Sequence, residues 1–151
     1  MAERTERAVL NHLIETCTDA GRGFRSAADH VKDPGLKTEF TNIAEQRERF
    51  AKDLLPHAQR LGGAAAADGT TVAAVHRGWI DLVAKWRHND HAIVAEAARG
   101  DGVTLHAFKE AVAGLLPPDA REIVERQYAD VTVAHARVTA LTLSTHQPAL
   151  T

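Results

Sequence analysis

The sequence predicts an all-α protein that folds as a four-helix bundle, and three observations lead to this prediction. The apolar residues are mostly Ala, Val and Leu, with only 5% aromatic residues, and Ala and Leu are among the strongest helix formers. Apolar positions recur at alternating steps of three and four, as one face of a helix requires, and no alternating strand pattern competes with them. Clusters of Gly and Pro separate the long segments. The length of 151 residues predicts one domain over residues 1–143, with a flexible tail at 144–151.

The first two helices are predicted on either side of Asp33-Pro34-Gly35. Helix one runs from the N-terminus to this turn, and helix two runs from the turn to about Leu61. A three-residue turn between two long helices requires them to lie antiparallel. Gly21 and Gly23 lie inside helix one and are expected to permit close helix approach. The apolar positions of helix one are Leu10, Leu13, Cys17, Ala20, Phe24, Ala27 and Val31.

A long connection is predicted between helices two and three. The roughly 28 residues between Leu61 and Asp90 exceed the ordinary bundle loop of about 2 to 8 residues. They include a short amphipathic segment with Trp79 and Trp86 on its apolar face. A long crossover at this point is the ferritin-like connection. The predicted fold is therefore an all-α, ferritin-like four-helix bundle with a short extra helix in the crossover.

Helices three and four form the second predicted hairpin. Asp90 is a candidate N-cap for helix three, and the Gly100-Asp101-Gly102 triplet inside that helix predicts a kink or local widening without a break. Pro118 followed by Asp119 is typical of a helix start, because proline fits the first turn and a carboxylate there faces the positive end of the helix dipole. Helix four therefore follows Pro118.

Composition limits the partners and the compartment. Eighteen Lys and Arg are interspersed with twenty Asp and Glu, for a net charge of -2, so no basic face indicates a nucleic-acid partner. The single cysteine, Cys17, excludes an internal disulfide and is expected to be a small buried apolar residue. No long apolar run predicts a signal peptide or membrane segment. We expect a cytoplasmic protein, with Trp79 and Trp86 as a docking face for a second copy or a protein partner.

Ferritin-like bundles hold two metal ions through one Glu from each of two helices and a Glu-x-x-His from each of the other two. No Asp or Glu in this chain is followed three residues later by His. The sequence therefore predicts a degenerate metal site, no cofactor and no catalytic residue. The alternative is a carboxylate-bridged di-iron or di-manganese oxidoreductase, or a metal-storage protein. Its ligands would come from Glu15, Asp19, Glu45, Glu48, Glu96, Glu125, Asp130 and His135.

Arg47 is the exception in the apolar pattern of helix two. A buried charge needs a partner, and Glu96 and Asp101 flank the inner face of helix three. We therefore predict an internal polar cluster of Arg47, Glu96, Gln127 and His135. The alternative is that Arg47 lies near an edge and extends to water. If Arg47 belongs to the internal cluster, its guanidinium supplies the positive charge that metal ions supply in a di-iron bundle.

The chain resembles a bacterial ferritin-like family known only as a four-helix-bundle domain of unknown function. The resemblance extends from about Val9 to Val138 and implies a ferritin-like fold distantly related to rubrerythrin and ferritin. It implies no reaction. We therefore expect a non-enzymatic protein with a stress-protective or interaction role. The supporting motifs are Leu13-Ile14-Glu15, Gly23-Phe24, Asp33-Pro34, Gln46-Arg47, Leu61-Gly62-Gly63, His76-Arg77-Gly78-Trp79, Asp90-His91-Ala92-Ile93, Gly100-Asp101, Leu116-Pro117, Gln127 and His135.

Overall fold

The computed structural model describes residues 2–62 and 89–145, with side chains from residue 6 onward. These residues form four helices and no strand, which confirms the prediction of an all-α protein with four long helices. The predicted short helix that carries Trp79 and Trp86 lies outside the described residues. The helices are α1 (Ala2–His30), α2 (Pro34–Arg60), α3 (Asp90–Ala113) and α4 (Pro118–Thr145).

The turn between α1 and α2 is held at both of its sides. Asp33 is the N-cap of α2, and its side chain accepts a hydrogen bond from the backbone N–H of Leu36 at 2.9 Å. The carboxylate of Asp90 accepts from the backbone N–H groups of Lys32 and Asp33 at 2.8 and 2.9 Å. The start of α3 is therefore tied to this turn.

Asp90 is consequently not the N-cap of α3, contrary to the prediction. The cap is Asn89, whose side-chain oxygen accepts from the backbone N–H of Ala92 at 2.7 Å. Asp90 is the first helical residue, and its carboxylate is engaged by the α1–α2 turn instead of its own helix. Downstream, α3 is one continuous helix through Gly100-Asp101-Gly102, as the prediction of no break required.

The two apolar clusters of the core define the direction of each helix. The first cluster contains the C-terminal halves of α1 and α4 and the N-terminal halves of α2 and α3. The second cluster contains the other half of each helix. It follows that α2 and α3 run in the same direction, opposite to α1 and α4. The last residues of α2 and the first residues of α3 therefore lie at opposite ends of the bundle.

Four helix pairs make contact in the described part of the chain. α1 packs against α2 and α3, α4 packs against α3, and α2 meets α4 along the sparsest of the four interfaces. The pairs α1/α4 and α2/α3 are therefore the diagonals of the bundle. None of the four helices combines the length and apolar character needed to cross a membrane.

A layer of buried polar side chains crosses the middle of the bundle. On three helices these residues fall between the two apolar clusters: Asp19 on α1, Arg47 on α2, and Asp101 and Thr104 on α3. Apolar contacts are non-directional, so the two apolar clusters alone would let the helices shift along one another with little change in burial. Buried polar groups need particular partners. The polar layer is therefore the part of the core with specific contacts and specific chemistry. Its buried members are Thr16, Asp19, Arg47, Asp101, Thr104 and Gln127.

Gly21 lies where α1 and α2 approach each other closely. A Cβ atom at this position would lie 2.9 Å from Cγ of Glu48 and 3.5 Å from the carbonyl oxygen of Ala44. The first distance is shorter than a van der Waals contact, so a side chain here would force Glu48 to move. This confirms the expectation that Gly21 permits close helix approach.

Gly102 is different, because a side chain there meets almost no resistance. An added Cβ would lie 3.9 Å from Cε1 of His135, an ordinary contact. We expect Gly102→Ala to raise the free energy of unfolding by ~0.5 to 1 kcal/mol, since glycine inside a helix costs about that much relative to alanine. Urea denaturation followed by circular dichroism measures the change. Gly21→Ala is the matched control and should gain less, because its Cβ collides with Glu48.

Candidate functional site

Arg47 and Asp101 form a buried ion pair at the centre of the bundle. Nη2 of Arg47 lies 3.0 and 3.1 Å from the two carboxylate oxygens of Asp101. Both side chains are completely shielded from solvent. Arg47 is on α2 and Asp101 is on α3, which are diagonal partners. The pair therefore spans the core and joins two helices whose backbones are not neighbours within the described residues.

Two further contacts compensate for burying the guanidinium. Nη1 of Arg47 donates a hydrogen bond to the side-chain oxygen of its neighbour Gln46. The guanidinium carbon also lies 5.9 Å from the centre of the Phe24 ring on α1, within the range of a cation–π interaction. A buried charge is tolerated only when it is paired and hydrogen-bonded. Arg47 meets that condition by contacting α1, α2 and α3 at once, so the prediction that it extends to water is excluded.

Asp101 extends the chain of charges toward the surface. Its second carboxylate oxygen lies 3.3 Å from Nδ1 of His135 on α4. The His135 side chain is 22% exposed, whereas Asp101 is fully enclosed. One carboxylate thus lies between a buried guanidinium and an imidazole that reaches solvent. All four helices are linked through these residues and Phe24.

Gln127 belongs to the same polar layer but makes a different bond. Its side-chain nitrogen donates to the backbone carbonyl of Phe50 at 3.4 Å, and the residue is 3% exposed. Phe50 lies one turn beyond Arg47 on α2. Gln127 therefore connects α4 to α2 beside the ion pair, without bonding to it.

Glu96 forms an ion pair with a residue of its own helix. Its carboxylate accepts from Nε of Arg99 on the same helix at 2.9 Å, and its side chain is partly exposed. Asp101 follows the buried Ala97 by four residues and precedes the buried Thr104 by three, so it faces the core. Glu96 precedes Ala97 by one residue, which turns it by about 100° around the helix. The carboxylate that meets Arg47 is therefore Asp101.

The acidic residues of the metal-binding alternative are spread over the molecule. Glu45, Glu125 and Asp130 are exposed, Glu15 is partly buried and Asp19 is buried. Glu48 accepts two hydrogen bonds of 2.6 Å from Arg25, which lower the pKa of its carboxyl. Glu125 pairs with Arg121 at 3.5 Å. Among residues 2–62 and 89–145, no three or more His, Cys, Asp and Glu side chains are grouped so that they could hold a metal ion.

The polar layer itself does not fit a pair of metal ions. Such a site gathers several carboxylates around cations, whereas here a fixed guanidinium occupies the centre and binds both oxygens of Asp101. A cation placed beside Arg47 would be repelled by it and would have to compete with it for the same carboxylate. The chemistry of these side chains is that of an internal ion pair.

A family model for a domain of unknown function, DUF2383, matches residues 5–114 of the chain. The match covers well over half of the sequence. The chain belongs to this family. The matched span includes α1, α2 and α3 with Cys17, Arg47 and Asp101, whereas α4 with Gln127 and His135 lies beyond it. No match to a curated protein was found.

Within the DUF2383 span, Cys17 lies beside the polar layer. The residue is fully buried, and its burial raises the pKa of the thiol to about 12; Arg47 opposes this shift and Asp101 adds to it. A cysteine nucleophile needs a thiolate, which this environment suppresses at neutral pH. Cys17 therefore acts as a small buried residue, as its place in the apolar pattern predicted.

Proposed function

We propose that this protein is a non-enzymatic, ferritin-like helical bundle in which the Arg47–Asp101 ion pair replaces a metal centre, and that its role is stress protection or interaction with other proteins. The observation that carries the proposal is the fully buried Arg47 bonded to Asp101 in the middle of the core. In an intact metal-binding bundle, the equivalent region holds cations between carboxylates of facing helices.

The helix directions support the ferritin-like part of the proposal. α2 and α3 run in the same direction, so the end of α2 and the start of α3 lie at opposite ends of the bundle, while short turns join α1 to α2 and α3 to α4. This is the connectivity of ferritin-like folds, in contrast to a simple up-down-up-down bundle. The polar layer also lies midway along the helices, where side chains of facing helices can meet.

The charge balance of the layer supports the replacement of a metal. The Arg47 guanidinium carries one positive charge and the Asp101 carboxylate one negative charge, so each neutralises the other. A metal centre fulfils the same structural requirement, because it lets several carboxylates be buried together. In this chain a side chain meets the requirement permanently, and folding does not have to wait for an ion.

The burial and bonding of the candidate groups support the non-enzymatic part of the proposal. Arg47 and Asp101 are engaged with each other and enclosed, Gln127 bonds to the backbone, and Cys17 is a buried thiol of raised pKa. All four groups are buried, and of the predicted cluster only His135 and Glu96 are partly exposed. The proposal therefore assigns the function of the bundle to its outer surface, through interaction with other proteins.

Metal analysis tests the proposal directly. The purified chain is incubated anaerobically with excess Fe²⁺ or Mn²⁺, desalted, and assayed by inductively coupled plasma mass spectrometry, with Asp101→Asn as the matched variant. We expect far less than one ion per chain in both proteins. Near-stoichiometric metal that is retained by the wild type and lost in Asp101→Asn would overturn the proposal and favour the di-iron or di-manganese alternative.

A further inference from the structure

A groove of about 330 Å³ runs along the outside of the bundle between α2 and α4, the pair of adjacent helices with the sparsest contact. Each wall is one stripe of a helix, with residues spaced by three and four. On α2 the stripe includes Glu39, Asn42 and Gln46, and on α4 it includes Asp130, Val133 and Arg137. The groove is thus open to solvent and lined by both polar and apolar groups.

The charges on the groove are distributed unevenly along it. At one end, Arg137 on α4 forms an ion pair with Glu39 on α2. At the other end, Asp130 is exposed and makes no ion pair with any residue in the described ranges 2–62 and 89–145. Gln46 lies near Asp130, and its side-chain oxygen already accepts from Arg47, which leaves its NH₂ group for other partners.

The middle of the groove combines an exposed apolar side chain on α4 with the exposed amide of Asn42 on α2. Val133 is 68% exposed, one of the most exposed large apolar side chains of the described residues, and its neighbour Ala134 is 9% exposed. Both lie halfway between Asp130 and Arg137 along α4. An exposed apolar side chain flanked by opposite charges is the arrangement of a small interface with a polar rim.

The order of charged and apolar residues along α4 is complementary to the same order on a second copy that runs antiparallel to it. A two-fold axis that passes between positions 133 and 134 and runs across the helices places Asp130 of one copy opposite Arg137 of the other, twice. It also brings the exposed Val133 side chains of the two copies close together beside the axis. On α2 the same operation brings Gln46 opposite Glu39 of the second copy. A contact in which residue i meets residue j and j meets i defines a closed two-fold dimer.

We propose that the α2–α4 groove is the interface of a homodimer in which α4 packs antiparallel to α4 of a second copy. Arg137 has five N–H donors in a planar fork, so it can bond Glu39 of its own chain and Asp130 of the second copy together. Asp130, which has no ion pair within residues 2–62 and 89–145, gains a partner, and the exposed Val133 is buried. The inference concerns a surface remote from the buried Arg47–Asp101 pair and does not depend on the proposed function.

Sedimentation equilibrium with charge-reversed variants tests the dimer. We expect the wild type to sediment at twice the 16.3 kDa mass of the chain as its concentration rises. Asp130→Arg and Arg137→Asp should each weaken self-association by at least tenfold, because like charges then face each other across the axis. The double variant Asp130→Arg/Arg137→Asp restores both opposite-charge pairs and should recover the dimer. Val133→Lys removes the apolar centre and should also give monomers.

The controls are Arg22→Asp and Asp29→Arg, two charge reversals at exposed positions of α1, which lies diagonally opposite α4. Both are expected to dimerise like the wild type, and circular dichroism checks that every variant remains helical. A wild type that is monomeric up to millimolar concentration overturns the inference. So does a dimer that survives both single reversals, or folded double-variant protein that stays monomeric.

Discussion

Arg47→Ala is expected to lower the free energy of unfolding by ~3 to 5 kcal/mol. The substitution leaves the Asp101 carboxylate buried without its guanidinium partner, and an uncompensated buried charge is far more costly than a lost surface contact. It also removes the contact with Phe24 and the bond to Gln46. Chemical denaturation monitored by circular dichroism at 222 nm gives the difference between wild type and variant.

Arg25→Ala is the matched control for this substitution. Arg25 also forms a two-point ion pair between helices, with Glu48, but this pair lies at the surface. Exposed ion pairs contribute little because water solvates the separated charges nearly as well. We therefore expect a much smaller loss than for Arg47→Ala. Equal losses for the two variants would show that burial of the Arg47 pair has no special importance.

A double substitution separates the charge from the packing. Arg47→Met with Asp101→Leu replaces both ionic groups by apolar side chains of similar length. Because the cost of the single variant comes from an orphaned carboxylate, the double variant is expected to recover most of the lost stability. If it is as unstable as Arg47→Ala, the loss arises from the shape of the site and our explanation is incorrect.

Raising the pH above 9 is expected to destabilise the protein through Cys17. In the unfolded chain the thiol ionises near its ordinary pKa of 9.0, whereas in the folded protein burial raises that pKa to about 12. The folded state therefore holds the proton more tightly. The contribution of the protonated thiol to the free energy of unfolding is fully present below pH 9. It is lost as the pH rises toward 12, by up to about 4 kcal/mol.

Cys17→Ala isolates this effect from other groups that ionise at high pH. The packing that the Cys17→Ala variant loses does not depend on pH. The difference in free energy of unfolding between wild type and variant should therefore narrow between pH 9 and pH 12, and it can reverse. The same burial predicts that the folded wild type resists alkylation by iodoacetamide and reacts fully in urea. Parallel stability curves, or fast alkylation of the folded protein, would contradict the assigned environment of Cys17.

Much of the fold could be predicted because helix periodicity is a local property. The apolar spacing predicted four long helices, and the short turns at Asp33 and Pro117 predicted two antiparallel hairpins; the structure contains both. The same spacing singled out Arg47 as a charge on a buried face, where it is found. Each of these features depends on residues within a few turns of one another.

The partner of Arg47 could be predicted only in part. Asp101 occupies a polar break in the buried pattern of α3, between Ala97 and Thr104, just as Arg47 does on α2. That break is the signal that favours Asp101 over Glu96. It was obscured by the flanking glycines Gly100 and Gly102, which predicted a kink or local widening of the helix at this point.

The sequence by itself determined which residues form helices, which face of each helix is apolar, and that one of those faces carries an arginine. Only the tertiary structure decided that Arg47 crosses the diagonal of the bundle to Asp101, that His135 shares that carboxylate, and that α2 and α4 leave a groove between them. The physical reason is that these contacts join residues about 30 to 80 positions apart. They depend on the relative rotation and register of whole helices, which no local spacing specifies.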